Sequence, residues 1–200
     1  RRERFVEESV YNRLIDAEWN TPVGAAKACG GDALIRREAL AAVGGYRDDL
    51  IAGEEPEMCL RMRKLGWQIW RIDAEMTWHD AAITQLGQWW RRSVRAGHAF
   101  AEGAALHGRA PERHWVAETR RALIWGALMP MAIFLLAVFV SPWCLFLTLI
   151  YPLQVLRLSR GQGMDWAFYT TLSKFAEARG ALQYYVGKLR RGPSRIIEYK

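Results

Sequence analysis

The sequence predicts an α/β domain, followed by an α-helical membrane hairpin and an amphipathic helix. Helix-like and strand-like patterns alternate over the first 72 residues, which is typical of an α/β layer. A run of 35 residues, Ala122–Leu156, contains no charged residue and no His. Basic and apolar residues then recur at helical spacing. The predicted domains are residues 1–108, a linker at 109–121, the hairpin at 122–158 and a basic C-terminal helix and tail at 159–200.

The predicted elements of the first domain follow from apolar periodicity and from glycine and proline positions. Gly30 and Gly31 interrupt the first predicted strand, where glycine often marks a close approach of the backbone to another group. Gly44-Gly45 is a typical helix stop. In order, the elements are a helix at 3–19, a strand at 27–35, a helix at 36–43, a helix at 54–65, a strand at 67–72 and a helix at 83–106.

The helix over Glu54–Leu65 has the clearest signals at both of its ends. Pro56 falls in the first turn, where its missing N–H would have no partner anyway. Basic side chains, at Arg61, Arg63 and Lys64, favour the C-terminal end of a helix.

The uncharged run predicts two helices that cross a membrane. As one helix it would be roughly 52 Å long, which exceeds a hydrocarbon core of about 30 Å. Ser141-Pro142 provides a turn between Ala122–Val140 and Trp143–Leu156. Arginines border both outer ends, which predicts that both ends lie on the cytoplasmic side. The alternative is a buried hairpin in a soluble protein.

The C-terminal segment predicts a basic amphipathic helix that Asp165 caps. We expect this helix to lie in the membrane interface, and the alternative is a helix packed on its own domain. Its predicted apolar stripe is Phe168, Leu172, Phe175, Leu182, Tyr185, Val186 and Leu189. Its basic residues, with those that follow, are Lys174, Arg179, Lys188, Arg190, Arg191 and Arg195.

The charge of the chain indicates which partners it could bind, and its cysteine content indicates the redox state of its compartment. The net charge of +7 comes partly from residues that flank the uncharged run, so it suits anionic lipid headgroups. No DNA- or RNA-binding motif is present, and we expect no nucleic-acid partner. Cys29, Cys59 and Cys144 are far apart in the sequence and lack metal-type spacing, which predicts free, buried thiols in a reducing compartment.

Candidate catalytic residues cluster where the helix at 54–65 begins. Three carboxylates, Glu54, Glu55 and Glu57, lie in its first turn, and His79 follows one strand later. Each group alone has a structural explanation, since acidic residues at a helix start favour the helix dipole. A polar stripe of Gln88, Arg91, Arg92 and Arg95 could likewise face solvent or lipid.

Five short motifs, taken in order along the chain, resemble those of a known family. The motifs are Cys29-Gly30-Gly31-Asp32, Val43-Gly44-Gly45-Tyr46, Gly53-Glu54-Glu55, Gly66-Trp67 and His79. As a series, residues 1–108 resemble the C-terminal half of a family 2 glycosyltransferase with a GT-A (Rossmann-like) fold. The hairpin and basic tail are similar to those of membrane-attached members. The chain begins Arg1-Arg2-Glu3-Arg4, and we expect it to be a fragment that starts inside a domain.

The resemblance implies an inverting sugar transferase of the hexosyltransferase type, and we expect this chain alone to be inactive. Glu55 would be the base that deprotonates an acceptor hydroxyl, and Glu54 would help to hold the acceptor. His79 would bind a divalent metal, Mg²⁺ or Mn²⁺, shared with the preceding half of the enzyme. The implied substrate-binding residues are Gly30, Gly31, Asp32, Gln88, Arg91 and Arg92.

The resemblance also implies partners and a location. The donor would be a nucleotide-diphosphate sugar, and the acceptor a sugar, a lipid-linked molecule or a polysaccharide. Membrane lipids would be further partners. The protein would be a multi-pass protein of the inner (cytoplasmic) membrane, with its catalytic part facing the cytoplasm.

The chain departs from the family pattern in three ways. Glu55 stands where the family has Asp, and Arg92 stands where processive members have Trp. The Asp-x-Asp metal motif and the nucleotide-binding half are not in this sequence. A second hypothesis is therefore a non-catalytic, membrane-anchored module that binds anionic lipid or a partner. A small transporter is disfavoured, because the uncharged run carries no intramembrane charge.

Overall fold

The computed structural model describes residues 1–190. These residues form two compact units, one over 1–89 and one from residue 90 onward. The basic residues Arg191 and Arg195 of the predicted tail lie outside the described residues.

The helices and strands are short in the first unit and long in the second. The strands are β1 Arg2–Glu3, β2 Gly24–Ala26, β3 Ile69–Arg71 and β4 Trp78–His79. The α-helices are α1 Val10–Trp19, α2 Arg37–Ala42, α3 Glu54–Lys64, α4 Leu86–His107, α5 Val116–Leu123, α6 Met129–Phe139, α7 Ile150–Gln162 and α8 Met164–Leu189. Short 3₁₀ helices cover Val6–Glu8 and Pro142–Leu149, and a π-helix covers Ile124–Leu128.

The predicted α/β class with a GT-A (Rossmann-like) domain is wrong for the described chain, which is mainly helical. Its strands form two separate two-stranded sheets, β1 parallel to β4 and β2 antiparallel to β3. The predicted strand at 27–35 is a loop, in which Leu34 is 90% exposed. Gly30 and Gly31 offer no side chains to pack on a sheet face, so this segment lacks the contacts that hold a strand in a ladder.

The N-terminal segment becomes helical later than predicted. The side chain of Ser9 accepts a hydrogen bond from Asn12 N at 2.9 Å, so α1 begins at Val10 rather than near Glu3. Glu3 is buried instead, and its carboxylate accepts hydrogen bonds from Phe5 N and Ala81 N. Glu3 therefore ties the start of the chain to the segment after β4.

The core of the first unit lies between α2 and α3, where Ala39, Met58 and Met62 are buried together. The predicted helices at 36–43 and 54–65 are confirmed to within one residue at each end. The residue before α3, Gly53, has φ of 87°, a left-handed conformation that glycine adopts without steric cost.

The predicted pair of long apolar helices is confirmed in the second unit. Val116–Phe139 and Pro142–Gln162 are each long and apolar enough to span a membrane. The break between them falls at Ser141, as predicted, where the backbone is extended and the Ser141 hydroxyl caps the next turn. In the most apolar stretch of Val116–Phe139 only 11% is buried, and in that of Pro142–Gln162 the buried share is 0%. Such exposure does not match the alternative of a hairpin buried in a soluble core.

Helix α8 packs on its own unit through small residues. A Cβ atom on Gly180 would overlap the carbonyl oxygen of Val94 in α4. A Cβ atom on Gly126 would overlap the carbonyl oxygen of Lys174 in the same way. The backbones therefore approach closely, as small residues allow in membrane helix packing.

The structure also changes one expectation about α8. Gly163, not Asp165, occupies the N-cap, and Asp165 lies in the first turn. Helix α8 packs against other helices of its own unit, and its position in the membrane interface stays a prediction. Much of the predicted apolar stripe remains exposed, including Phe168, Leu182, Val186 and Leu189. This helix buries small residues on one side and presents large apolar side chains on another.

We expect Gly180→Ala to destabilise the second unit by about 1–3 kcal/mol, because the added methyl group has no room beside Val94. Gly187→Ala is the matched control, since it lies in the same helix and a Cβ atom there would meet no atom within 4 Å. The control should stabilise the protein by up to about 1 kcal/mol through helix propensity. Thermal unfolding in detergent compares the two variants, and equal shifts would contradict close packing at Gly180.

Candidate functional site

Glu57 is a structural member of the acidic first turn of α3. Its side chain is 1% exposed, and Arg61 Nε donates to its two carboxylate oxygens at 2.8 and 3.0 Å. Arg61 also donates to the carbonyl oxygens of Val43 and Gly45, which follow α2. Glu57 and Arg61 therefore join α3 to the end of α2.

Glu54 and Glu55 differ from Glu57. Both are half-buried, and their carboxylates make no hydrogen bond or ion pair with any residue in 1–190. A Cβ atom on Gly31 would lie 3.4 Å from Glu55 Oε1, so the glycine backbone faces this carboxylate directly. The structure thus brings Gly31 and Glu55 together.

Asp32, Gly30 and His79 are linked through two residues that the sequence analysis missed, Arg1 and Trp19. Arg1 Nη1 lies 3.2 Å from Asp32 Oδ2, an ion pair without hydrogen-bond geometry. The Arg1 guanidinium also stacks 4.3 Å from the centre of the Trp19 ring. The His79 ring packs edge-on against Trp19, with ring centres 5.2 Å apart.

The Arg1 guanidinium also lies beside Gly30, where a Cβ atom would be 2.9 Å from Arg1 Nη2. Glycine at this position therefore leaves room for the cation. No sequence signal pointed to Arg1 or Trp19, because their contacts depend on chain segments that are remote in sequence.

Two thiols lie beside Glu55. The Sγ atoms of Cys29 and Cys59 are 3.4 Å apart. The hydrogen bond from Cys29 lowers the pKa of the Cys59 thiol to about 7, and the same interaction raises the pKa of Cys29. The positive charge of Arg63 adds to the lowering at Cys59, and the negative charge of Glu55 opposes it. All three thiols are free, as predicted, but only Cys59 is buried. The separation of Cys29 and Cys59 in the sequence concealed their contact.

Tyr46 belongs to the same electrostatic neighbourhood. Burial raises the pKa of its hydroxyl, and the negative charges of Cys29, Glu55, Cys59 and Glu54 raise it further. The candidate site therefore combines the Glu55 carboxylate, the Cys29–Cys59 pair and the Tyr46 hydroxyl around the start of α3. The Gly31 backbone lies against one edge of this group.

The predicted metal ligand His79 is exposed and packs on Trp19. Across residues 1–190, no group of three or more His, Cys, Asp or Glu side chains converges as metal ligands. The assignment of His79 as a metal ligand stays a prediction.

The polar stripe on α4 has mixed roles. Gln88 Oε1 accepts hydrogen bonds from the backbone N–H groups of Thr84 and Gln85, both at 3.0 Å, and so caps the start of α4. Gln88 lies in the first unit, whereas Arg91 and Arg92 belong to the second. Substrate binding by these three residues stays a prediction.

No protein family, curated protein or solved structure matches the chain.

Proposed function

We propose that this chain is the acceptor-activating part of an inverting sugar transferase attached to a membrane, with Glu55 as the general base. The observation that supports the proposal is a difference between two carboxylates in the first turn of α3. Glu57 is neutralised by Arg61, whereas the half-buried Glu55 carboxylate has no such partner within residues 1–190. A base must keep a lone pair available for the incoming proton, and Glu55 does so.

In the proposed reaction, a Glu55 carboxylate oxygen accepts the proton of an acceptor hydroxyl. The resulting nucleophilic oxygen attacks the anomeric carbon of a nucleotide-diphosphate sugar, and the bond from that carbon to the diphosphate breaks. Attack opposite the leaving group inverts the anomeric configuration. Because Gly31 has no side chain, the acceptor can approach Oε1 past the backbone. Glu54, one residue earlier, is placed to hold another acceptor hydroxyl.

The two long apolar helices support placement at a membrane. We infer a hairpin that crosses the membrane twice, with the basic ends that carry Arg121 and Arg157 on the cytoplasmic side. A lipid-linked or polysaccharide acceptor suits this location, because its growing end can stay close to the bilayer.

The topology is tested by cysteine accessibility. In a chain without native cysteines, Arg121→Cys and Arg157→Cys should react with a membrane-impermeant maleimide from the same side of sealed vesicles. Ser141→Cys, at the break between the helices, should react only from the opposite side. Labelling of positions 121 and 157 from opposite faces would contradict the hairpin.

The transferase activity is tested with membranes that hold the protein that contains this chain, together with a panel of radiolabelled nucleotide-diphosphate sugars. We expect release of nucleoside diphosphate together with label in a lipid or polysaccharide fraction. Nuclear magnetic resonance of the product should show the anomeric configuration opposite to that of the donor. If no donor is consumed above the level of empty membranes while the protein binds anionic vesicles, the non-catalytic lipid-binding module becomes the better explanation.

A further inference from the structure

The Cys29–Cys59 pair has no role in the proposed transfer reaction. Cys59 lies in the second turn of α3, four residues after Glu55, so the two side chains share one face of the helix. Cys29 lies in the loop after β2, two residues before Gly31. The Sγ atoms are 3.4 Å apart, and closing this distance to the 2.05 Å of a disulfide needs a shift of about 1.4 Å. The pair is therefore placed to cross-link the two segments that border Glu55.

We propose that Cys29 and Cys59 form a reversible redox pair, which a peroxide-class oxidant converts into a disulfide beside Glu55. Cys29 is half-buried rather than enclosed, which gives a small oxidant a route to the sulfurs. The shared proton and the Arg63 charge favour a thiolate in the pair near neutral pH, against the opposing charge of Glu55. A thiolate is the form that reacts with peroxide.

The reaction balances with one molecule of peroxide. The first sulfur, as a thiolate, attacks one peroxide oxygen, and the O–O bond breaks to leave a sulfenic acid and hydroxide. The second sulfur, after losing its proton, attacks the sulfenic sulfur, and the S–O bond breaks to release a second hydroxide. Two thiols thus lose two electrons and two protons, and one peroxide becomes two water molecules. A dithiol reductant reverses the cross-link.

The disulfide would change the wall of the candidate site. Pulling Cys29 toward α3 also moves Gly31, which lies against Glu55 Oε1. We expect a loss of sugar transfer on oxidation and its recovery on reduction. This consequence rests on the proposed function, whereas formation of the disulfide does not.

The test uses the full chain in detergent. It is oxidised with one equivalent of hydrogen peroxide, then unfolded and alkylated so that burial does not hide a thiol. Of the three cysteines in the chain, one, Cys144, should be alkylated after oxidation and three after reduction with dithiothreitol. The intact mass should fall by two hydrogen atoms. Peptide mapping should place the bond between Cys29 and Cys59.

Cys29→Ser and Cys59→Ser are matched controls, because each keeps one sulfur of the pair and cannot form the bond. Each should retain its remaining thiol or stop at a sulfenic acid. The proposal is overturned if the oxidised wild-type chain keeps three alkylatable thiols. It is also overturned if the bond forms between chains or involves Cys144, or if the pair oxidises to sulfinic acid without a cross-link. All of these readouts are independent of transferase activity.

Discussion

Replacing Glu55 by Gln should lower kcat by about 10²–10⁴-fold, the usual contribution of a positioned general base. Glutamine keeps the shape of the side chain but cannot take the proton. The Glu55 carboxylate forms no ion pair or hydrogen bond with residues 1–190, so the substitution removes no stabilising contact of that kind. The melting temperature should therefore stay close to that of the wild type. Measuring kcat and melting temperature in parallel, in the protein that contains this chain, tests this expectation.

Glu57→Gln is the matched control, because it makes the same chemical change two residues later in the same turn. Its carboxylate is buried against Arg61, so the control should lose stability and retain turnover in the fraction that stays folded. Near-normal kcat in Glu55→Gln with an inactive Glu54→Gln would move the base by one residue. Near-normal kcat in both variants would reject the acid/base assignment and favour the binding module.

Arg61→Met should destabilise the first unit by about 3–5 kcal/mol, the usual cost of removing one partner of a buried ion pair. The buried Glu57 carboxylate loses its cation, and the carbonyl oxygens of Val43 and Gly45 lose a donor. The link between α2 and α3 weakens at the same time. Urea denaturation followed by tryptophan fluorescence measures the free energy of unfolding.

Lys64→Met is the control for Arg61→Met. Lys64 lies in the last turn of the same helix but is exposed, so its replacement should change stability by no more than about 0.5 kcal/mol. The double variant Glu57→Leu/Arg61→Met should recover much of the lost stability, since it leaves no charge buried without a partner. A loss in Arg61→Met no larger than in Lys64→Met would contradict the structural role of the Glu57–Arg61 pair.

Local signals account for the predictions that the structure confirms. Gly44-Gly45 and Pro56 act on the backbone of their own segment, so they predicted the end of α2 and the start of α3 without knowledge of the rest of the chain. The uncharged run predicted two long helices, because its composition excludes charged side chains over enough residues to span a bilayer. The break at Ser141-Pro142 is local in the same sense.

The misassigned elements depend on contacts between remote segments. Residues 27–35 have strand-like composition, yet a strand exists only where a neighbouring segment completes its hydrogen bonds, and none does so in the described chain. Helix α8 buries Gly180 against Val94 of α4, a contact that the apolar stripe did not reveal. A small residue carries little signal in a hydrophobicity pattern, although it decides where two helices meet.

The sequence by itself determined the position of the acidic turn and the two apolar helices, because these depend on residue type and spacing along one segment. Only the tertiary structure decided which carboxylate is engaged, by placing Arg61 on Glu57 and leaving Glu55 to face Gly31. It also brought Cys29 to 3.4 Å from Cys59 across 30 residues of chain. Burial, ion pairing and interatomic distance depend on segments that are remote in the sequence. They distinguish residues that hold the fold together, such as Glu57, from residues that remain candidates for catalysis, such as Glu55.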